Sequence, residues 1–166
     1  EKAFPVILEK ARVGFGIVSA AVIDRHNILQ ATFLAMQLAF EDLGELPEVV
    51  LVDGNKSPRF AVPSIAVVKG DGRSLAIAAA SIMAKVLRDR LMDFYHELEK
   101  GYGFNVHKGY GTPLHHQALQ QLGPSVFHRY SYRPVAELAR VRESLIPDGF
   151  VSELESALAL GAGQTQ

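Results

Sequence analysis

The chain has 166 residues, 48% hydrophobic and 21% charged, with a formal net charge of −1. That is enough for one domain with a real core, and any nucleic-acid partner would need a local basic face rather than an overall field. There are no cysteines, which excludes disulfides, thiolate nucleophiles and zinc–thiolate sites, and no apolar run approaches the ~20 residues of a membrane-spanning helix.

Residue 1 is Glu rather than Met, and residues 3–12 read as a surface helix with little before it. The chain is therefore expected to be a piece of something longer, and with no signal peptide in view the cytoplasm is the expected compartment. Residues 13–22 (VGFGIVSAAV) read as a strand with glycine interruptions. Residues 26–44 read as an amphipathic helix, with Ile28, Leu29, Phe33, Met36 and Phe40 near helical spacing and Gly44 at its end. Val49-Val50-Leu51-Val52 is four apolar residues, three of them β-branched, running straight into Asp53 and Gly54. This is a buried strand over 49–53 that stops at a carboxylate.

A loop follows over 54–63, with Pro58 and Pro63, and then a second strand over 64–68. Residues 74–99 form the longest predicted helix, with Ser74 as N-cap and Gly101-Tyr102-Gly103 closing it. Its small residues, Ala76, Ala78, Ala79, Ala80, Ser81 and Ala84, suit close packing on a sheet. Residues 101–113 are a glycine-aromatic loop, and 113–122 a short helix ended by Gly123-Pro124. The basic-aromatic segment His128 to Arg133 precedes Pro134, which opens another helix. After the break at Pro147-Asp148-Gly149 a short helix and a disordered GAGQTQ tail are expected. Strand–helix alternation makes the fold class α/β.

Asp53 and Asp71 each follow an apolar run. Alone, either acid reads equally as a turn former or cap. Together on one sheet edge they repel unless a cation lies between them, which points to a divalent-metal site. Lys85, Arg88 and Asp89 are candidate supports for that cluster, whereas Arg90 reads as a solvated residue with local ion pairs. In the loop 102–112, tyrosines and Phe104 interleave with His107 and Lys108, a composition suited to stacking on bases or sugars and meeting phosphates. The bland reading of Phe104 is an anchor to the core. His115, His116 and His128 invite a metal reading, but adjacent histidines on a helix point different ways. His128, Arg129 and Ser131 read better as a phosphate clamp.

These residues resemble the ribonuclease HII family, the type 2 ribonucleases H. The matching pieces are VDGN at 52–55, VKGD at 68–71, AAASIMAKVLRD at 78–89, KGYGT at 108–112, His115 and GPSVFHRYSY at 123–132, with VID at 22–24 and NILQATFLAM at 27–36. The resemblance covers about residues 10 to 135. It implies a ribonuclease H-like mixed sheet with flanking helices, a catalytic domain over 1–135 and a helical C-terminal extension and tail over 136–166. It implies cleavage of the RNA strand of RNA–DNA hybrids, and nicking 5′ of single ribonucleotides in duplex DNA, by a monomer using Mn²⁺ or Mg²⁺. Asp53 and Asp71 match the third and fourth metal-binding carboxylates. Tyr110 matches the tyrosine that senses the substrate. Discrimination of RNA from DNA must come from the 2′-hydroxyl.

The family's first two carboxylates lie in an N-terminal Asp-Glu motif followed by a Gly-Arg-Gly turn, and no DE-x-GRG occurs among these 166 residues. This polypeptide is therefore expected to be inactive by itself. Two other readings stay open: a non-catalytic nucleic-acid-binding remnant, and a metal-dependent phosphatase of another fold, which lacks a nucleophile motif.

Overall fold

A computed structural model describes residues 2–143, with side chains through 141. The tail helix expected after residue 149 and the GAGQTQ tail lie outside the described residues. The elements run α1 (Ala3–Lys10), α2 (Ala20–His26), α3 (Ile28–Asp42), β1 (Val50–Asp53), β2 (Ser64–Val67), a 3-10 turn (Gly70–Gly72), α4 (Leu75–Leu98), a second 3-10 turn (Lys100–Tyr102), α5 (Phe104–His107), α6 (Pro113–Leu122) and α7 (Arg133–Glu143). The α/β class holds. Among the described residues the sheet has only two strands, β1 and β2, paired in parallel with Asp53 opposite Val67. What these residues build is a small parallel pair flanked by helices.

Caps explain most boundaries. Ser74 Oγ accepts the Ile77 amide at 3.5 Å, so Ser74 is the N-cap of α4 as its sequence suggests. Thr112 Oγ1 accepts the His115 amide at 3.3 Å, Pro113 fills the first position of α6, and Gly123 at φ 81° ends it. The helix expected over 26–44 begins at Ile28. Asn27 stands at φ 68°, and its Oδ1 accepts the amides of Leu29 and Gln30 at 3.0 and 3.1 Å, which starts α3 and stops α2.

The strand expected over 13–22 does not form. A strand needs a ladder partner, and the Phe15 amide instead donates to Asp42 Oδ2 at 2.8 Å. The segment lies against α3: a Cβ on Gly14 would stand 2.1 Å from the Ala39 carbonyl oxygen, and one on Gly16 would stand 1.8 Å from that of Ala35. Its last residues, from Ala20 on, are already α2.

Helix α4 spans two core clusters. Met83 and Val86 pack with Phe4 of α1, alongside Ile7, Val13 and Phe15. Farther along, Met92 and Tyr95 meet the cluster of Tyr102, Phe104, Ala118, Leu119 and Val135. The alanine-rich face contributes less than its composition suggests, since Ala76, Ala80, Ser81 and Ala84 are exposed. Arg90 makes no local ion pair among the described residues; its guanidinium lies 4.5 Å from the centre of the Phe4 ring and helps seat α1. Phe104, 3% exposed, is a core anchor of its loop.

Candidate active-site corner and nucleic-acid face

Strand β1 delivers Asp53 to its end, where the side chain is exposed. Its Oδ1 accepts the Gly70 amide at 2.8 Å. That amide faces Asp53 because Lys69 adopts φ 52° and turns the chain sharply out of β2. Asp71 is thus not a strand-end residue, as its sequence suggested, but the middle of the 3-10 turn that follows. Its Oδ1 accepts the Gly72 amide at 2.9 Å. Asp53 is bonded to the residue just before Asp71, and neighbouring Cα atoms are about 3.8 Å apart, so both acids occupy one corner of the sheet. Gly70 itself is buried against Ile77: a Cβ there would fall 2.5 Å from Ile77 Cδ1.

Oxygen donors of this kind suit a hard divalent cation. Two carboxylates fall short of a full centre, and among the described residues no group of three or more His, Asp or Glu side chains could hold a metal ion.

Lys85, Arg88 and Asp89 do not bond to either acid. Lys85 Nζ grips both oxygens of Asp89 at 2.6 and 2.7 Å, one helical turn on. Arg88 places its guanidinium 4.7 Å from the centre of the Tyr110 ring, with Lys85 Nζ at 5.8 Å. Arg88 Nη1 is buried without a hydrogen-bond partner. Tyr110 itself is 54% exposed. The loop after α5 thus lays an open aromatic ring over a cationic stretch of α4, with the ring held by cation–π attraction.

Lys108 stands at φ 51°, is only partly exposed, and pairs with Asp93 of α4. Its charge is already matched within the chain. His128 is 6% exposed and faces inward, away from any surface strip. Ser131 donates its hydroxyl to Asp24 Oδ1 at 2.5 Å and its amide to the same oxygen at 2.9 Å, while the Tyr130 amide reaches Asp24 Oδ2 at 2.7 Å. Partial burial pushes the Asp24 pKa up, but these hydrogen bonds and the nearby Arg129 charge outweigh it and leave the carboxyl below its ordinary range.

Arg129 remains at the surface, 5.3 Å from the Tyr132 ring centre. It shares an open groove with Arg25 and His26 at the end of α2. Sequence reasoning assigned no role to Asp24, Arg25 or His26. The hydrogen-bond partners of Asp24 lie 106 and 107 residues away, and no local pattern reports such a pairing.

Three histidines gather underneath. His115 Nε2 lies 3.0 Å from His128 Nε2, and the His107 ring stacks on His115 at 4.1 Å and 11°. Burial chiefly, then the neighbouring His115, lowers the His128 pKa to about 4. Burial also lowers that of His115, although its hydrogen bond to the Tyr110 carbonyl works the other way. Both rings are neutral at neutral pH.

The ribonuclease HII family model matches residues 4–135. The chain belongs to the ribonuclease HII family. It is 48% identical over 145 residues to a protein named ribonuclease HII from Chloroflexus aggregans (strain MD-66 / DSM 9485), a match covering 87% of this chain and 68% of that relative. Ribonucleases HII are metal-dependent endoribonucleases that hydrolyse the RNA strand of RNA–DNA hybrids. The matched span contains both acids of the corner, Tyr110 and the whole histidine cluster. No helix among the described residues is long and apolar enough to cross a membrane.

Proposed function

We propose that this chain supplies the third and fourth metal-binding carboxylates, Asp53 and Asp71, and the substrate-facing Tyr110 of a ribonuclease HII. The enzyme cuts RNA–DNA hybrids and nicks 5′ of single ribonucleotides in duplex DNA. The observation that carries this reading is the bond from the Gly70 amide to Asp53, which brings the two acids to one corner. Asp53 and Asp71 would contribute oxygen ligands to Mn²⁺ or Mg²⁺, which would supply polarisation of the phosphodiester and activation of a water.

Within that reaction the residues of this chain have separate tasks. Asp53, held through Oδ1 by the Gly70 amide, offers its second oxygen to a cation. Tyr110 packs against the sugar beside the scissile bond, steadied by Arg88. Arg129, with Arg25 and His26, meets phosphates along the groove, a basic strip that replaces the one expected from Lys108, His128, Arg129 and Ser131. Ser131 and Asp24 hold Arg129's segment in place. The fold is ribonuclease H-like, in a cytoplasmic monomer.

Residues 1–166 alone lack DE-x-GRG, and we expect them to bind nucleic acid but cleave little, because misplacing reacting groups by about 1 Å already costs ~10²-fold. The test is a duplex carrying one embedded ribonucleotide, incubated with Mn²⁺ and residues 1–166. Binding with weak or no nicking is expected. Nicking at the rate of a complete ribonuclease HII would overturn the inactivity, and absence of binding would overturn the interface.

A further inference from the structure

We propose that His115 and His128 form a buried, uncharged relay of ring nitrogens that, with the His107 ring stacked on His115, positions the main chain at Tyr110 against the 125–132 segment. The inference rests on the reading of Tyr110 as a substrate contact, and makes the three histidines positioning residues for it.

The hydrogen bonds fix every tautomer. The Ser125 amide lies 3.0 Å from His128 Nδ1, and an amide only donates, so Nδ1 is bare and Nε2 carries the proton. That Nε2–H points at His115 Nε2, 3.0 Å away, which must accept. The His115 proton is then on Nδ1, 3.0 Å from the Tyr110 carbonyl, which can only accept. The two ends of the chain demand the same direction. His107 follows the same logic: the Gly109 amide donates to Nδ1 at 3.1 Å, and Nε2–H donates to the Tyr102 carbonyl at 2.8 Å.

All six ring nitrogens are engaged, and the directions agree when no ring carries a second proton. A proton added to His115 Nε2 or His107 Nδ1 would face another N–H; one added to His128 Nδ1 would face the Ser125 amide and have the Ser125 hydroxyl, also 3.0 Å away, as its one acceptor. The three residues are 5–7% exposed, and the rings of Tyr102 and Phe104 close over them. Other titratable groups beside them are His116, next to His115 on α6, and Tyr102, whose ring packs on His128 and whose hydroxyl donates to the Gly123 carbonyl. No carboxylate hydrogen-bonds to any of the three rings among the described residues.

The grip falls on both sides of one residue. His107 takes the Gly109 amide, and His115 takes the Tyr110 carbonyl, so the backbone flanking the Tyr110 side chain is held from below. Lys108 and Gly109 both have positive φ, at 51° and 76°. Such a turn has few ways to present Tyr110, and the relay selects one of them. The far end, through Ser125, belongs to the segment that carries Arg129. The aromatic and cationic contacts on substrate are thereby set at a fixed separation.

The test begins with long-range ¹H–¹⁵N NMR of the imidazoles near neutral pH. Protons on His107 Nε2, His115 Nδ1 and His128 Nε2 are expected. A charged ring, or His115 protonated on Nε2, overturns the relay. Next, His128→Leu removes the donor to His115, whereas His128→Gln returns an amide N–H near the same place. The Tyr110 carbonyl resonance should shift in the first and return toward the parent in the second. Affinity for an RNA–DNA hybrid, measured without divalent ions, should fall roughly five- to tenfold in His128→Leu, about one hydrogen bond's worth, and recover in His128→Gln.

An unmoved carbonyl resonance in His128→Leu overturns the proposal. If His128→Leu does not fold, the parent tautomers and His128→Gln still decide it. Tyr110→Ala judges the contact separately: unchanged hybrid affinity there removes the substrate role of Tyr110 and leaves the tautomers to judge the relay.

Discussion

Asp53 and Gly70 are joined by a 2.8 Å hydrogen bond that ties the end of β1 to the turn carrying Asp71. Asparagine at position 53 keeps an oxygen for the buried Gly70 amide but loses the charge. Asp53→Asn should therefore unfold within about 0.5 kcal/mol of the parent, whereas Asp53→Ala leaves the amide unpaired and should cost about 1–2 kcal/mol. Both should lose Mn²⁺-induced broadening of resonances around Asp71. Urea titration and Mn²⁺ titration by NMR check the two effects, and equal stability of the variants would show that the bond contributes nothing.

Gly16 touches α3 with its backbone. A Cβ would meet the Ala35 carbonyl oxygen at 1.8 Å, and main chain cannot swing aside as a side-chain tip can. Gly16→Ala should cost about 1–3 kcal/mol by forcing the segment off α3. Gly72→Ala, where a Cβ meets nothing within 4 Å, should change little. Thermal melts of the pair provide the comparison, and similar melting temperatures would contradict the close contact.

Stability should fall on acidification in a window set by the histidines. His128 has its pKa lowered to about 4 by burial and by His115, and His115 is lowered by burial. Unfolded histidine titrates at about 6.5. Between these values the unfolded chain binds protons that the folded chain refuses, so stability rises with pH. The contribution is complete above about pH 6.5 and is lost as pH falls toward 4. Asp24, whose pKa is lowered, adds a loss at still lower pH, below the ordinary carboxylate range. His128→Gln should flatten the histidine window by at most roughly 1.4 kcal/mol per pH unit. Denaturant midpoints measured across this range would refute the assignment if the parent and the variant kept the same slope.

Arg88 and Tyr110 should act on substrate as a pair. Removing either loses the cation–π contact, so the double variant should be less impaired than the sum of the singles. A coupling of about 0.5–1 kcal/mol in hybrid affinity is expected from a double-mutant cycle of Arg88→Ala and Tyr110→Ala. Strict additivity would mean that the guanidinium does not steady the ring.

What could be read in advance was what carries its own signal. Thr112, Pro113 and Gly123 bound α6 by local chemistry, Ser74 caps α4, and Asp53 had to sit at a strand end because a lone buried charge is too costly. Residues 13–19 have strand composition, but composition supplies no ladder partner, and Gly14 and Gly16 serve contact with α3 instead. Asn27 divides α2 from α3 through a backbone conformation that helical periodicity does not reveal. By residue type alone Lys108 and His128 belong at the surface. Asp93 neutralises the first, and the second is drawn inside by partners on α6 and at Ser125. The family's motifs located the site, while its internal wiring depends on pairings between distant residues.

The clamp between Asp24 and Ser131 closes a loop of 107 residues. Closing so long a loop has an entropic cost that local helices do not bear, and contacts of this span tend to be made after the segments between them have folded. During synthesis Asp24 leaves the ribosome long before its partners exist. The basic groove is thus expected to be the last surface to assemble and among the first to open. Amides of Tyr130 and Ser131 should exchange with solvent deuterium faster than those in the middle of α4, and Asp24→Ala should speed that exchange while leaving α4 protected.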